Sequence, residues 1–346
     1  MKPRTNGATP LAELHALLEQ ALSVHFGRRR RVTRLRRRIS RYSSSFIITN
    51  LEVELEDQQR LRLVLKDMSP GSILATARAV RPSFLYRPER EIQVYTGLLQ
   101  RSGLGTPLCY GSVQSEADQR YWLFLERVDG PLLWQTGKME TWEAAARWLA
   151  LFHSRYHEGR GDIPAATLAA VLRYDDRLLQ TWLMRAERFL RSKHGQGCRA
   201  QWRRFDRIAS SYDLVIERLL RMPATLIHGE FFPSNIIVRR GASPLSICPI
   251  DWEVAGMGPG LLDLAALTLG GWKPEQRSRL VAAYHEASQC IDSSRSSMPE
   301  LTEAVNYCQL HLSIQWLGWA ADWSPPEQHA RNWLGEASRL AEAVGI

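Results

Sequence analysis

The sequence predicts an α+β protein with two lobes: a small β-rich N-terminal lobe over residues 1–128 and a larger, mainly helical C-terminal lobe over residues 129–346. Three observations support this prediction. Strand-like alternation occupies much of the first third, helical periodicity dominates the remainder, and the turn-forming "DGP" at 129–131 lies where the pattern changes. A chain of 346 residues with 45% apolar content is long enough for two such lobes.

The N-terminal lobe is predicted to contain helices, a hairpin and a further strand. Residues 9–26 carry leucines at helical spacing behind a threonine that can cap a helix. Residues 39–68 contain two β-rich runs separated by the polar "EDQQ", which predicts an antiparallel hairpin. Residues 88–103 begin with a proline and acids and end near a glycine, which predicts a helix. An apolar strand is expected over residues 121–128.

Most of the C-terminal lobe is predicted to be helical, with short strands only between residues 225 and 251. A hairpin within that stretch is expected to pair residues 235–239 with residues 246–250. The helices are expected at about 141–157, 165–192, 199–221, 272–288, 299–321 and 327–344.

The positive charge of the chain is concentrated near its N-terminus. The formal net charge is +9, and residues 1–130 account for 21 basic minus 13 acidic residues, or +8. Nine arginines lie between Arg28 and Arg41. Because 40 of the 45 cationic residues are arginines, a solvated strand face or a general bias of composition is the favoured interpretation. The alternative is a patch that binds a polyanion such as nucleic acid, with steep salt dependence.

Composition also bears on the compartment. The five cysteines are odd in number and far apart, with no CxxC pair, which favours reduced thiols over zinc or disulfides. No stretch approaches the ~20 apolar residues of a membrane span, and the N-terminus lacks the apolar segment of a signal peptide. A cytoplasmic protein that does not span a membrane is therefore expected.

Three oxygen-bearing side chains are predicted to cluster in the C-terminal lobe. Glu230 and Asn235 lie in a polar turn after an apolar run, and Asp251 follows another short apolar run. If residues 235–239 pair with residues 246–250, the turn lies beside Asp251. Such a set of carboxylate and amide oxygens suits magnesium with substrate phosphates, and a carboxylate that binds no metal can accept a proton from an attacking hydroxyl. The pattern favours phosphoryl transfer.

A phosphate-binding cation is expected from the N-terminal lobe. Lys66 is one of only five lysines and lies on the apolar strand "RLVLK". Glu89 and Glu91, on the following predicted helix, are both possible ion-pair partners for it. The small residues Ser43, Ser44 and Ser45 are candidates to cover phosphates, although no glycine-rich GxGxxG or GxxxxGK[ST] motif is present.

Six motifs in the same order resemble the aminoglycoside phosphotransferase and choline kinase family, whose members are relatives of protein kinases. The resemblance extends over nearly the whole chain. The motifs are "LVLK" (63–66), "EREIQVYTGL" (89–98), "LFLERVDG" (123–130), "HGEFFPSN" (228–235), "IDWE" (250–253) and "GPGLLDLA" (258–265).

The resemblance implies a bilobal protein-kinase-like fold and a role for each matching residue. Lys66 is expected to bind phosphates and Glu91 to be its helix partner. Asn235 and Asp251 are expected to be magnesium ligands, with Glu230 as the catalytic base. The family usually has aspartate at the position of Glu230, so this chain departs from the pattern there.

Further implied roles are supporting ones. His228 and Asp263 are expected to brace the catalytic loop through hydrogen bonds. Backbone groups of Glu126, Arg127 and Val128 are expected to meet the adenine ring.

The function implied is transfer of the γ-phosphoryl group of ATP, with Mg²⁺, to a hydroxyl of a small molecule. GTP stays open as the donor. The acceptors expected, in order, are an aminoglycoside-like antibiotic, then a sugar or amino alcohol, then a nucleoside-type metabolite. The rival hypothesis is a catalytically weak pseudokinase that binds nucleotide and holds an anionic partner through its arginine-rich segment. Oligomeric state is left open.

Overall fold

The computed structural model describes residues 10–40, 42, 45–159, 163–191, 199–241, 245–290, 297–320 and 331–346. They form two compact units. The first contains the described residues up to Gly130 together with Ala165–Ala170, and the second contains those of Pro131–Pro164 and Val171–Ile346. The sequence-based division after residue 128 stays a prediction.

The described residues include twelve α-helices and ten strands. The helices are α1 (Leu11–His25), α2 (Ala75–Val80), α3 (Pro88–Gln93), α4 (Met139–Arg155), α5 (Ala165–Ala170), α6 (Asp176–Arg191), α7 (Arg199–Ser210), α8 (Tyr212–Leu220), α9 (Leu261–Leu267), α10 (Pro274–Gln289), α11 (Met298–Trp319) and α12 (Trp333–Ala343). The strands are β1 (Val32–Ile39), β2 (Ile47–Leu55), β3 (Arg60–Asp67), β4 (Cys109–Ser115), β5 (Arg120–Glu126), β6 (Leu172–Arg173), β7 (Ala224–Ile227), β8 (Ile236–Val238), β9 (Ile247–Pro249) and β10 (Gly256–Pro259).

The first unit is built on an antiparallel sheet of five strands in the order β1-β2-β3-β5-β4. Alternate residues of β2 and β3, such as Leu51 and Leu63, are fully buried on one face. Leucines of α1, including Leu18, pack in the same cluster. Because side chains of a strand point alternately to the two faces, the residues between them, Lys66 among them, lie on the opposite face.

The hairpin expected within residues 39–68 is confirmed as β2 and β3. The segment predicted as one helix over residues 88–103 has a mixed conformation instead. It begins at Pro88 as α3, continues as a π-helical turn over Val94–Leu98 and ends as a 3₁₀ turn over Leu99–Arg101. The residue types fit a helix throughout, so the change of hydrogen-bond pattern left no mark in the periodicity.

The second unit contains the remaining helices and two small sheets. One sheet has the order β6-β10-β7, and the other is the hairpin of β8 and β9, which confirms the predicted pairing. The large rings of Phe152, Phe231 and Trp252 are fully buried. The two units thus match the predicted α+β class, with a small β-rich N-terminal lobe and a mainly helical C-terminal lobe.

The prediction of a single helix over residues 165–192 is wrong. The chain forms α5, then β6, then α6, because Leu172 and Arg173 pair in parallel with Gly256 and Met257. That pairing joins segments about eighty residues apart, so local sequence could not reveal it.

Among the described residues, every helix is too short or too polar to be a candidate membrane span.

Candidate active site

Lys66 and Glu91 form a buried ion pair in the first unit. The Lys66 Nζ lies 2.6 Å from Glu91 Oε2, and the two side chains are 8% and 1% exposed. Lys66 is held in the middle of the sheet, since it pairs with Ile48 of β2 and Leu123 of β5. A charge pair this buried is costly to desolvate, so it needs its partner and its position to be fixed. Of the two acids predicted as partners, Glu91 rather than Glu89 is the one paired with Lys66.

The residues between β1 and β2 are described only in part. Ser43 and Ser44 are outside the described residues. Ser45 is described, and its carbonyl accepts a hydrogen bond from the backbone N–H of Leu74 at 3.1 Å. The next residue, Phe46, is buried, and its ring centroid lies 5.9 Å from Lys66 Nζ.

The predicted adenine-binding backbone follows β5. The Glu126 N–H donates to Leu108 O at 2.7 Å and the Arg127 N–H donates to Arg62 O at 2.9 Å. The Glu126 carboxylate accepts from the Leu108 N–H at 3.1 Å. Within the described part of the chain, the Val128 N–H donates to no protein acceptor, so of these three donors it is the one left for a ligand.

The catalytic-loop candidate begins at His228 in the second unit and is tied to Asp263. The buried Asp263 carboxylate accepts from the His228 N–H at 2.6 Å and from the Gly229 N–H at 2.8 Å. His153 Nε2 also contacts Asp263 Oδ2, at 3.3 Å, and its Nδ1 lies 3.0 Å from the Tyr284 hydroxyl. Buried carboxylates need such partners, and these fix the start of the loop from α4, α9 and α10.

The hydrogen bonds of His228 determine its tautomer. Its Nε2 lies 2.9 Å from the Ile250 carbonyl, which can only accept, so Nε2 carries the proton. Its Nδ1 accepts from the Glu230 N–H at 3.3 Å. Neutral His228 therefore links the residue before Asp251 to the backbone of Glu230.

Asn235 lies at the end of the hairpin of β8 and β9, where its backbone pairs with the residue before Asp251. The Ile250 N–H donates to Asn235 O at 2.9 Å, which extends the ladder to the residue before Asp251. The Asn235 amide nitrogen donates to Glu230 O at 3.0 Å, so the amide oxygen points away from that carbonyl. Asp251 has a φ of 70°, a left-handed conformation that costs energy for a residue other than glycine and is common at functional sites.

Glu253 lies close to Asp251, and its sequence position alone did not indicate a role. It is 8% exposed, and one of its carboxylate oxygens lies within 4.8 Å of an Asp251 carboxylate oxygen. The signal for it was present in "IDWE", where a second acid follows Asp251 after one intervening residue. Glu230 itself is half-buried, and its backbone is held by the contacts with His228 and Asn235 given above.

The second unit thus carries the candidate oxygen ligands Asn235, Asp251 and Glu253, and the first carries the buried ion pair of Lys66 and Glu91. The chain matches the phosphotransferase enzyme family over residues 11–301. It belongs to that family. This confirms the resemblance to the aminoglycoside phosphotransferase and choline kinase family that the motifs indicated. It also confirms that the chain is a phosphotransferase.

Several solved structures share the fold with this family member at low sequence identity. A choline kinase from Cryptosporidium parvum Iowa II is 13% identical with a TM-score of 0.58, covering 90% of this chain and 88% of its own. Wild-type aminoglycoside 2'-phosphotransferase-IIIa in its GDP complex is 13% identical with a TM-score of 0.56, at 95% and 98% coverage. LicA in complex with AMP is 12% identical with a TM-score of 0.53, at 98% and 99% coverage. No individual protein of curated function matches the sequence.

Proposed function

We propose that this phosphotransferase moves the γ-phosphoryl group of ATP to a hydroxyl of a small molecule, in a reaction that needs Mg²⁺. The buried ion pair of Lys66 and Glu91 is the observation that carries the proposal. A lysine desolvated on a strand and fixed by a helix carboxylate is suited to neutralise phosphate oxygens, and phosphoryl transfer is catalysed mainly by positioning and charge. Two structural relatives were crystallised with AMP and GDP, which supports a nucleotide donor.

The backbone at the end of β5, from Glu126 to Val128, supports the choice of a purine nucleotide. The N–H of Val128 is the donor assigned to the base, beside the backbone of Glu126 and Arg127. Adenine N1 accepts a hydrogen bond, whereas guanine N1 carries a proton and donates one, so a backbone N–H can donate to N1 of adenine but not of guanine. The relative turnover of ATP and GTP is therefore a direct test. We place ATP first.

The donor set in the second unit fits magnesium. Asn235 and Asp251 would hold the ion through hard oxygens, and Glu253, whose carboxylate lies within 4.8 Å of that of Asp251, would supply a third. Magnesium supplies neutralisation of the charge that develops on the transferred phosphoryl group. The left-handed backbone at Asp251 and the hydrogen bond from Asn235 to Glu230 O set the direction of both side chains.

Glu230 is assigned as the general base. Its carboxylate accepts the proton of the acceptor hydroxyl, whose oxygen forms the new bond to the γ-phosphorus while the bond to the β-phosphate bridging oxygen breaks. General-base catalysis contributes typically about 10²- to 10⁴-fold, so a base one methylene longer than aspartate slows the reaction rather than abolishing it.

The acceptor is a small hydroxylated molecule, with aminoglycoside-like antibiotics first, then sugars and amino alcohols, then nucleoside-type metabolites. The names of the relatives above span choline and aminoglycosides, so the class is broad. We expect the protein to act in the cytoplasm, where ATP and magnesium are abundant.

The experiment is a phosphate-transfer screen of the purified protein against these acceptor classes with ATP and magnesium. We expect slow ATP hydrolysis that one class stimulates, and its loss in Asp251→Asn. Asparagine tolerates the left-handed backbone but removes the charge, so folding should be retained. Magnesium-dependent thermal stabilisation by ATP without turnover of any acceptor would instead favour the pseudokinase alternative.

A further inference from the structure

Residues 165–174 have no catalytic role in the proposed function, but they contact the helix that carries Glu91 and the backbone next to Glu230. We propose that this segment positions the site: Thr167 on α5 fixes the helix that carries Glu91, and Tyr174 after β6 fixes the loop that carries Glu230. The inference rests on the proposed function, because it assigns positioning roles to residues that support Lys66, Glu91 and Glu230.

The contact between α5 and the Glu91 helix is too close to tolerate a side chain. Thr167 is fully buried, and it lies against Gly97 in the π-helical turn that continues α3. A Cβ on Gly97 would lie 2.5 Å from Thr167 Oγ1 but 3.9 Å from Thr167 Cβ. The threonine hydroxyl alone therefore requires glycine at that position.

Two polar contacts join α5 to the two ends of α3. Arg87 Nη1, just before α3, donates to the Ala169 carbonyl at 2.8 Å. Thr167 Oγ1 is within 3.5 Å of Gln93 O, a long hydrogen bond at the last residue of α3. Since π-helical turns recur at functional sites and lack the regular ladder of an α-helix, a packed neighbour is what keeps this one in place. Moving it would rotate Glu91 relative to Lys66.

Tyr174 has a comparable fit in the second unit. Its ring and hydroxyl fill the space above three glycines, Gly229, Gly256 and Gly258. A Cβ on Gly256 would lie 2.5 Å from Tyr174 Cε2, and one on Gly258 would lie 2.5 Å from Tyr174 Cβ. Gly229 has a φ of 82° and a Cβ there would collide with the Tyr174 hydroxyl.

The hydroxyl of Tyr174 also makes a defined hydrogen bond. It donates to Val254 O at 2.9 Å, while the Tyr174 N–H donates to Met257 O at 2.9 Å. Gly229 directly precedes Glu230, and Val254 directly follows Glu253. Tyr174 thus lies between the backbone of the base and the backbone that follows the metal-ligand candidates.

These two anchors are seven residues apart along one short segment. The two anchors are expected to affect different kinetic constants. Disturbing the Thr167 contact should lower kcat/KM for ATP, and disturbing Tyr174 should lower kcat.

The first experiment uses a matched pair of variants at the α5 contact. Gly97→Ala favours a helix by intrinsic propensity, so a loss can only come from the collision with Thr167. We expect kcat/KM for ATP to fall about ten- to a hundredfold, the cost of misplacing a catalytic group by about an ångström. Gly97→Ala with Thr167→Ala removes the colliding hydroxyl and should restore kcat/KM to within about threefold of Thr167→Ala alone.

The control for this pair is Gly71→Ala in the same unit, where a Cβ meets nothing within 4 Å. It should match wild type. Arg87→Gln is a milder variant that loses only the bond to Ala169 O, and it should raise the KM for ATP with kcat little changed. Equal ATP kinetics in Gly97→Ala and Gly71→Ala would overturn the positioning role of Thr167.

The second experiment compares two tyrosines of the second unit. Tyr174→Phe loses the hydrogen bond to Val254 O and should lower kcat about tenfold at saturating ATP while leaving the KM for ATP unchanged. Tyr307→Phe loses a hydroxyl contact to another backbone carbonyl, Val344 O at 3.4 Å, and should have wild-type kinetics. An unchanged kcat in Tyr174→Phe would refute its role.

Failure of the inference is distinguishable from failure of the proposed function. If wild type transfers phosphate and all these variants do so equally, the positioning segment is wrong and the function stands. If wild type binds ATP but transfers nothing, the function fails. In that case ATP affinity, measured by thermal shift, still tests the inference. Gly97→Ala should weaken ATP binding, and Gly97→Ala with Thr167→Ala should restore it.

Discussion

Glu230 is the residue whose chemistry most needs a test, because its side chain is longer than the aspartate usual in this family. We expect Glu230→Gln to lower kcat by about 10²- to 10⁴-fold with little change in the KM for ATP, since the amide cannot accept the proton. The backbone N–H to His228 and the carbonyl to Asn235 do not depend on the side chain, so the fold of the loop should be kept. Steady-state kinetics with the best acceptor gives the answer.

Glu230→Asp is the matched comparison. A carboxylate at the family's usual length should retain most of the activity or raise it, depending on how well the acceptor reaches it, and it should keep the pH dependence of wild type. Unchanged turnover in Glu230→Gln would remove the base assignment.

Variants of the buried ion pair of Lys66 and Glu91 should show that its effect on stability is distinct from its effect on ATP turnover. Lys66→Met leaves a buried carboxylate without its partner, so we expect a loss of about 3–5 kcal/mol in the free energy of unfolding. Adding Glu91→Met should recover much of that stability, because an apolar pair replaces two desolvated charges, while ATP turnover stays lost.

Chemical denaturation and ATP turnover of the two single variants and the double variant measure these effects. A stable but inactive double variant is the expected outcome. If Lys66→Met alone is as stable as wild type, the pair is not energetically coupled and its proposed role in phosphate binding weakens.

At the scale of elements, local pattern predicted most of the fold where periodicity was clean. The β2–β3 hairpin, α1, and the β8–β9 hairpin were recovered, since their alternation or helical spacing is written in adjacent residues. The break between α5 and α6 was not, because it depends on a pairing of β6 with β10 far along the chain.

The candidate site was predictable to a similar degree. The order of motifs indicates Lys66, Glu91, Asn235 and Asp251 from the sequence alone, and the structure pairs Lys66 with Glu91. The left-handed backbone of Asp251 could not be predicted, since aspartate adopts it only under surrounding constraint. Tyr174 could not be recognised either, because its importance comes from three glycines that the sequence places far away.

The packing of α8 against α11 includes a buried histidine that should make stability depend on pH. His311 is fully buried on α11, and its Nδ1 lies 2.7 Å from the Tyr212 hydroxyl of α8. Burial lowers the pKa of His311 to about 3 and raises the pKa of Tyr212. Below about pH 6.5 the unfolded chain takes up a proton that the folded chain does not, so stability falls as the pH drops from 6.5 toward 3.

We expect this loss to approach about 1.4 kcal/mol per pH unit below the unfolded pKa. The measurement is the thermal midpoint of Tyr212→Phe compared with Tyr212→Phe/His311→Leu between pH 7.5 and 4.5, so that the tyrosine hydroxyl is absent from both. The double variant should have the shallower acid slope. Parallel slopes would show that His311 does not carry the pH dependence.

At the scale of the whole molecule, the question is whether the basic N-terminal segment has a partner of its own. The segment forms β1, an edge strand of the sheet, and Arg34, Arg36 and Arg38 are exposed on it. Arg41 lies outside the described residues. Arg30 is buried and bonds Asp57 at 2.6 Å, so it is structural rather than part of a binding surface.

Acids of the neighbouring strand interrupt the positive charge. Arg34 lies opposite Glu54 and Arg36 opposite Glu52 in the register of β1 and β2. The same two glutamates lie opposite Arg60 and Arg62 of β3. Each glutamate therefore sits between two arginines on one face, and this cross-strand charge ladder stabilises the sheet locally. We conclude that the ladder favours a solvated, charge-paired strand face over a polyanion site.

The variant Arg34→Ala/Arg36→Ala/Arg38→Ala tests this conclusion. We expect ATP turnover close to wild type, and single-stranded nucleic acid binding by wild type no tighter than about 10⁻⁶ M at physiological salt, the range of non-specific electrostatic contact. Fluorescence anisotropy at two salt concentrations measures the slope. Binding tighter than this that weakens steeply with salt and is lost in the triple variant would favour the pseudokinase with an anionic partner, above all if wild type fails to turn over ATP.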